Sequence, residues 1–332
     1  GVLKILTMHQ GMLEARAGCR LTVKAVAARE RCRDRGVDLD KYTWFDNALD
    51  MAANEDLDIV VELMGGADGI AKDFAETAIL AGKHLITANK ALIALHGLSL
   101  ACAAEDEGVT LGYEAAVGGG VPIVKVLREG LAANRVDHIY GILNGTCNYI
   151  LTAMAHSGQE FTDVLEEAQS LGYAEEDPSF DIDGVDTAHK LSILACLAFG
   201  VEIDFESIHV EGIRHISSID INFARELGFG IKLLGVATRS EDGILVRVHP
   251  CMVPDDAPIN HVNGVLNGIG VAGDSVDATI YEGPGAGAGP TASAVVADIL
   301  DIARGNHSPV FGVPAHKLEP VRTLDARNRR GP

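Results

Sequence analysis

The feature that most constrains the fold is an alternation in the first 117 residues. Short apolar runs of strand character take turns with helical patterns of about 10–15 residues. Leu21–Ala28, Leu57–Leu63, His84–Asn89 and Val109–Val117 read as strands, while residues 1–14, Ala71–Ala81 and Ala91–Glu107 read as helices. Gaps of this size demand crossover connections, which are right-handed between strands of one sheet. The predicted fold class is therefore α/β, with a doubly wound, Rossmann-type nucleotide-binding domain. The order is unusual: the pattern opens on a helix with no strand before it.

After Pro122 the texture changes. Ile139–Leu143 and Gly235–Val248 read as strands of a different sheet, separated by helical stretches such as Thr187–Phe199. The economical division is a dinucleotide-binding domain over 1–117, an α+β domain over 118–288, a helix returning to the first domain over 289–320, and a polar, basic tail or linker over 321–332. A glycine-dense run, Gly283–Thr291, precedes the helical pattern Ala292–Ala303. Such a run either presents backbone N–H groups to an anion or is a loop with a helix cap.

A length of 332 residues suits two domains. Lys and Arg number 27 against 47 Asp and Glu, a formal charge of −20. That balance repels phosphate backbones and argues against a nucleic-acid partner. The longest apolar run, near Leu191–Val201, falls well short of the ~20 residues a membrane span needs, and no leader pattern opens the sequence. The six cysteines are scattered without a C-x-x-C pair or zinc spacing, as in a cytoplasmic protein with reduced thiols.

The most informative stretch is Ala168–Lys190, AQSLGYAEEDPSFDIDGVDTAHK. It carries Glu175, Glu176, Asp177, Asp181, Asp183 and Asp186 among Gly172, Pro178 and Gly184, ahead of a helix. A loop of this composition is often only a solvated turn. Here Asp186 and Lys190 share a helix face and lead into the core-like run LSILACLAF. Burial disfavours an ammonium and favours the neutral amine useful in proton transfer, and a carboxylate one turn away opposes that shift. The alternative is a surface ion pair worth ~0.3–0.5 kcal/mol.

Three weaker signals stand beside it. TANK (Thr87–Lys90) closes a parallel strand at the end where open α/β sheets bind ligands, so Lys90 either meets a ligand or starts a helix on the surface. In YEAAVGGGVPI (Tyr113–Ile123), Glu114 precedes a glycine turn whose carbonyls could join it around a hard cation, or which simply crosses between domains. Arg29 ends a strand where such sheets meet the cofactor ribose, and tilts the reading toward NADP, although the adjacent Glu30 leaves NAD open. Cys147 and the histidines offer no convincing nucleophile–base pair.

Taken together, Ala168–Lys190, VVELMGG (Val60–Gly66), TANKALIA (Thr87–Ala94), YEAAVGGGVPI, NGTCNYIL (Asn144–Leu151) and GAGAGPTASAV (Gly285–Val295) resemble the homoserine dehydrogenases, from Gly1 to about Pro320. The resemblance implies NAD(P)-dependent interconversion of L-homoserine and L-aspartate 4-semialdehyde in threonine and methionine biosynthesis. It implies that Lys190 is the proton donor, that Glu175 and Asp186 bind substrate, and that Lys90 lies near the cofactor and the reacting centre. Gly172 and Gly287 would line the cofactor. A structural sodium ion would be held by Glu114 and the carbonyls of Val117, Gly119 and Val121. A homodimer or higher homo-oligomer, formed through the second domain, is a further implication. Aldehyde reduction develops negative charge on oxygen, so a placed ammonium suits the chemistry. The competing readings are a related amino-acid or sugar dehydrogenase and a catalytically silent regulatory homologue.

Members of that family begin with a strand and a G-x-G-x-x-G turn ahead of the helix that matches Val2–Glu14. A central strand of about five apolar side chains at ~1.5–3 kcal/mol each is comparable to a domain's whole margin of ~5–15 kcal/mol. The expectation for the sequence as written is weak folding or weak cofactor binding. A regulatory C-terminal domain, carried by some members, is not visible in it.

Overall fold

A computed structural model of the chain describes residues 1–202, 205–320 and 323–324. In chain order the first part contains α1 (Val2–Met8), α2 (Gln10–Ala17), β1 (Ala25–Ala27), β2 (Thr43–Phe45), α3 (Ala48–Ala52), β3 (Ile59–Glu62), α4 (Ile70–Leu80), β4 (His84–Thr87), α5 (Lys90–Asp106) and β5 (Leu111–Gly112). The next contains α6 (Ile123–Lys125), β6 (Val136–Ile142), α7 (Gly145–Ser157), α8 (Phe161–Ser170), α9 (Ser179–Ile182), α10 (Val185–Phe199), β7 (His209–Val210), α11 (Ser218–Glu226), β8 (Phe229–Ser240), β9 (Gly243–Pro254), β10 (Leu266–Gly273) and β11 (Asp277–Pro284). Helix α12 (Ala288–Ala303) closes the series. The chain divides into two compact units, the first of residues 1–119 and 287–318, the second beginning at Gly120 and running to Ala286, with Glu319 added. Apart from Thr323 and Leu324, the tail expected over 321–332 lies outside the described residues.

In the first unit every strand pair is parallel, as the alternation requires. The strands form two pieces, β1–β2 and β3–β4–β5. Helix α12 packs its buried Val295, Ile299 and Ile302 with Ile86 of β4 and with Val2 and Leu6 of α1. The helix expected over 1–14 is divided at His9 and runs on to Ala17, where Gly18 stops it in a left-handed conformation. Two expected strands are much shorter than their apolar runs. Leu21–Ala28 keeps only Ala25–Ala27, and Val109–Val117 pairs only at Leu111–Gly112 before turning into a 3-10 segment at Glu114–Ala116. Strand β2 and helix α3, at three and five residues, are too short to show a period.

The second unit is a six-stranded sheet in the order β11-β10-β6-β8-β9-β7, antiparallel except for the β7–β9 pair. The alternation of side chains sorts its faces. Ile139, Ala237, Val248, Ile269 and Val271 are buried on one face, where Gly235 lets Leu143, Thr187 and Leu191 come close. The single strand expected over Gly235–Val248 is instead a long hairpin. Thr238, Arg239 and Ser240 pair with Leu245, Ile244 and Gly243 across the two-residue turn Glu241–Asp242, which is hidden inside an otherwise strand-like run and is followed by Gly243 at φ +145°.

Candidate active site

In the first unit the site grows from the loops that follow β3 and β4. Leu63, Met64 and Gly65, Ala88 and Asn89, Gly1 and the first turn of α12 line an open cavity of about 450 Å³. A fully buried polar ladder shapes its floor. The Glu62 carboxylate accepts from the backbone N–H groups of Met64 and Gly65 and from Thr87 Oγ1 at 2.6 Å. Thr87 Oγ1 accepts from Asn89 N–H at 2.9 Å, Asn89 Nδ2 donates to the Gly66 carbonyl at 2.6 Å, and Asn89 Oδ1 caps α5 at Leu92 N–H. One carboxylate thus ties the ends of two adjacent parallel strands, where open sheets bind their ligands.

The lining of this cavity suits the phosphate of a dinucleotide. A Cβ on Gly1 would fall 2.6 Å from the Ala288 carbonyl, so α1 and α12 begin against each other at its wall. Pro290 has no N–H and Thr291 N–H donates to the Gly287 carbonyl at 3.1 Å, which leaves the N–H groups of Ala288 and Gly289 at the start of α12 to suit a phosphate. Gly287 precedes that turn at φ +110°, a conformation other residues avoid, and lines the cavity. Lys90, the first residue of α5, is half-buried beside Asn89. Arg29 is exposed in the loop after β1 and does not line the cavity.

In the second unit the site centres on the start of α10. Asp186 and Lys190 are 2% and 8% exposed, and Lys190 Nζ donates to Asp186 Oδ2 and to the Leu143 carbonyl, both at 2.7 Å. This is the close pair that the four-residue spacing predicted, and it is buried rather than on the surface. An ammonium has three donors, so two hold the lysine in place and the third has no hydrogen-bond acceptor among the described residues.

The surrounding polar residues come from β6–α7 and β10. Asn144 Nδ2 donates to both Asp181 Oδ1 and Asp186 Oδ2 at 2.8 Å, and its Oδ1 caps α7 at Cys147 N–H. Asn267 Nδ2 donates to the same Leu143 carbonyl that Lys190 uses. Gly285 passes so close that a Cβ there would lie 2.1 Å from the Asn267 amide, which gives one glycine of the Gly283–Thr291 run a packing role. The Cys147 thiol is pushed well above its ordinary range, first by burial and then by the charges of Asp181 and Asp186, so it has no nucleophilic character here.

The fold does not gather every candidate at this pair. Glu175 and Gly172 lie in the exposed loop between α8 and α9, where the Glu175 carbonyl accepts from Gln169 Nε2. Glu114 is buried, with its N–H donating to Asp298 on α12; Val117 and Gly119 follow it in the first unit, and Val121 belongs to the second. Sequence reasoning missed Glu62, Thr87, Asn89, Asn144, Asp181 and Asn267 as site residues. The available signal was an Asn at the junction of a strand and a helix in both TANK and NGT, which predicts a cap.

A parallel-sheet dinucleotide unit joined to a unit that buries a lysine–carboxylate pair defines a nicotinamide-dependent oxidoreductase. Comparison with known proteins narrows the class. The model for the homoserine dehydrogenase NAD binding domain matches residues 1–114, and that for homoserine dehydrogenase matches 122–300. Homoserine dehydrogenase of Pseudomonas aeruginosa is 46% identical over 329 residues, covering 98% of this chain and 74% of its own. That of Helicobacter pylori is 42% identical over 321 residues, covering 97% and 75%. The crystal structure of a homoserine dehydrogenase from Thiobacillus denitrificans superposes with a TM-score of 0.92 at 44% identity, covering 97% of this chain and 76% of that one. A hyperthermophilic archaeal homoserine dehydrogenase in complex with NADPH gives 0.70 at 29% identity, covering 81% and 77%. The chain belongs to the homoserine dehydrogenase family.

Proposed function

We propose that the protein interconverts L-homoserine and L-aspartate 4-semialdehyde, a step toward threonine and methionine, with Lys190 moving the proton. The observation that carries this reading is the buried Lys190 ammonium with two donors anchored and a third left over. When bound, the nicotinamide supplies or accepts the hydride. In the reducing direction Lys190 gives its remaining proton to the developing alkoxide; in the oxidising direction the neutral amine takes it from the hydroxyl. Asp186 keeps the amine aimed and, with Glu175, faces the ammonium group of the amino-acid substrate. Gly172 and Gly287 line the cofactor, Lys90 lies near the reacting centre, and the loop held by Glu62 shapes the dinucleotide's seat.

Arg29 favours NADP over NAD, since a guanidinium after this strand suits a 2′-phosphate. Arg31, Arg33 and Arg35 make the same loop a basic island in an acidic chain. A sodium ion at Glu114 and the carbonyls of Val117, Gly119 and Val121 is supported by the burial of that carboxylate and by the left-handed turn at Gly118 and Gly119. A homodimer is supported by the face of the large sheet opposite α10. There Tyr140, Arg247 and His249 are half-buried, and Arg247 Nε lacks an acceptor. A cytoplasmic location accords with the family's biosynthetic role, and no helix among the described residues is long and apolar enough to cross a membrane.

The test is the near-ultraviolet absorbance of NADPH formed from L-homoserine and NADP. Turnover is the expected result. A folded protein that turns over neither NADP nor NAD with homoserine would overturn the proposal.

A further inference from the structure

Nothing in the reaction as described needs Asn144, yet its amide is the hub of the buried polar cluster. One nitrogen donates to two carboxylates, Asp181 Oδ1 and Asp186 Oδ2, each at 2.8 Å. Two carboxylates within reach of one atom repel each other, and with Asp186 buried and Asp181 half-buried the repulsion is screened less than at the surface. The two amide hydrogens meet one charge each and set the angle between them. The Asp186 oxygen that accepts from Asn144 is also the one that accepts from Lys190 Nζ.

The amide is itself held at its other end, where Asn144 Oδ1 accepts from Cys147 N–H at 2.8 Å as the cap of α7. The residue before it, Leu143, gives its carbonyl to Lys190. The junction between β6 and α7 therefore touches the lysine twice, through a carbonyl directly and through the Asn144 amide by way of Asp186. Charged groups facing this cluster include Asp181, whose second oxygen accepts from Thr146 Oγ1, and Asp183, which is paired with Arg214.

We propose that Asn144 is a positioning residue for the proton transfer: its amide holds Asp181 and Asp186 in fixed orientation and so aims the Lys190 ammonium. This rests on the reading that Lys190 moves the proton. Ser and Asp are both good helix caps, so Asn144→Ser and Asn144→Asp keep the role in α7 while removing the bridging donor.

The experiment is steady-state homoserine oxidation across pH by the parent chain and both variants, with circular dichroism melts as the folding control. Asn144→Ser is expected to lower kcat by ~10–100-fold, the cost of a small misplacement of a reacting group. The KM for NADP should stay within about twofold, because Asn144 is not among the residues lining the cavity at the start of α12. Asn144→Asp adds a third carboxylate, which favours the ammonium. The rise of kcat/KM with pH, which needs the neutral amine, should move to higher pH, a change that a purely structural residue would not produce. A kcat for Asn144→Ser within about threefold of the parent, or an unmoved pH limb for Asn144→Asp, would overturn the role while leaving the proposed function standing. An inactive but folded parent would overturn both.

Discussion

Two buried lysines in the second unit show how neighbours decide what a residue does. Lys190 has a carboxylate at 2.7 Å and an adjacent carbonyl, a geometry that keeps a cation in place. Lys232, on β8, hydrogen-bonds among the described residues to neutral oxygens: the Val262 carbonyl at 2.7 Å, Asn263 Oδ1 at 2.9 Å and Asn148 Oδ1 at 3.3 Å. Burial pulls Lys232 down to about 8. Replacing Lys190 with Ala should lower kcat by ~10²–10⁴, the usual worth of a placed acid–base group; activity surviving within about tenfold would remove it from the proton transfer. For Lys232 the sign follows from linkage. Between pH 8 and 10.5 the unfolded chain holds the lysine proton and the folded chain releases it, so this residue makes stability rise with pH in that window. Relative to Lys232→Met, the parent should gain about 2 kcal/mol between pH 7 and 9.5 in urea unfolding. Parallel stability curves for the two proteins would refute this.

At the scale of elements, loops after strands carry the site, and caps fix the helices that follow. Asn47, Asn89, Asn144 and Ser217 all cap helices through their side chains. Of these, Asn89 and Asn144 also reach across to groups that shape the candidate site. Glu62 does the equivalent for the loop after β3. Glu62→Ala should free Met64 and Gly65 and raise the KM for NADP by ~10-fold or more with a smaller change in kcat, since the loop shapes the cofactor's seat and not the proton path. Glu62→Gln, which keeps an acceptor for the two N–H groups, should recover most of that loss. Equal KM values for all three proteins would show the clamp to be dispensable. The same scale shows where local signals mislead. Apolar runs in the first unit announce strands but overstate their length, because Ala25–Ala27 meets a neighbour of only three residues and Leu111–Gly112 soon gives way to the 3-10 segment Glu114–Ala116. In the second unit one run concealed two strands, because the turn between them, Glu241–Asp242, is only two residues long.

For the whole molecule, the half-buried sheet face around Tyr140 and Arg247 predicts association through the second unit. Light scattering should return twice the 35.0 kDa chain mass, and a strictly monomeric mass at micromolar concentration would contradict the dimer. What was legible in the residues alone was whatever depends on near neighbours along the chain. The βαβ alternation, the four-residue step from Asp186 to Lys190 and the glycine run before α12 all follow from local geometry, and the family resemblance rests on the same contiguous stretches. What local geometry could not supply was the set of contacts made between distant segments. Asn144 meets Asp181 and Asp186 across 37 and 42 positions, and Asn267 reaches Leu143 across 124. Thr87 reaches Glu62 across 25. Periodicity constrains which face a residue is on, but a hydrogen bond needs a partner at about 3 Å, and only the packed strands and helices bring those partners together.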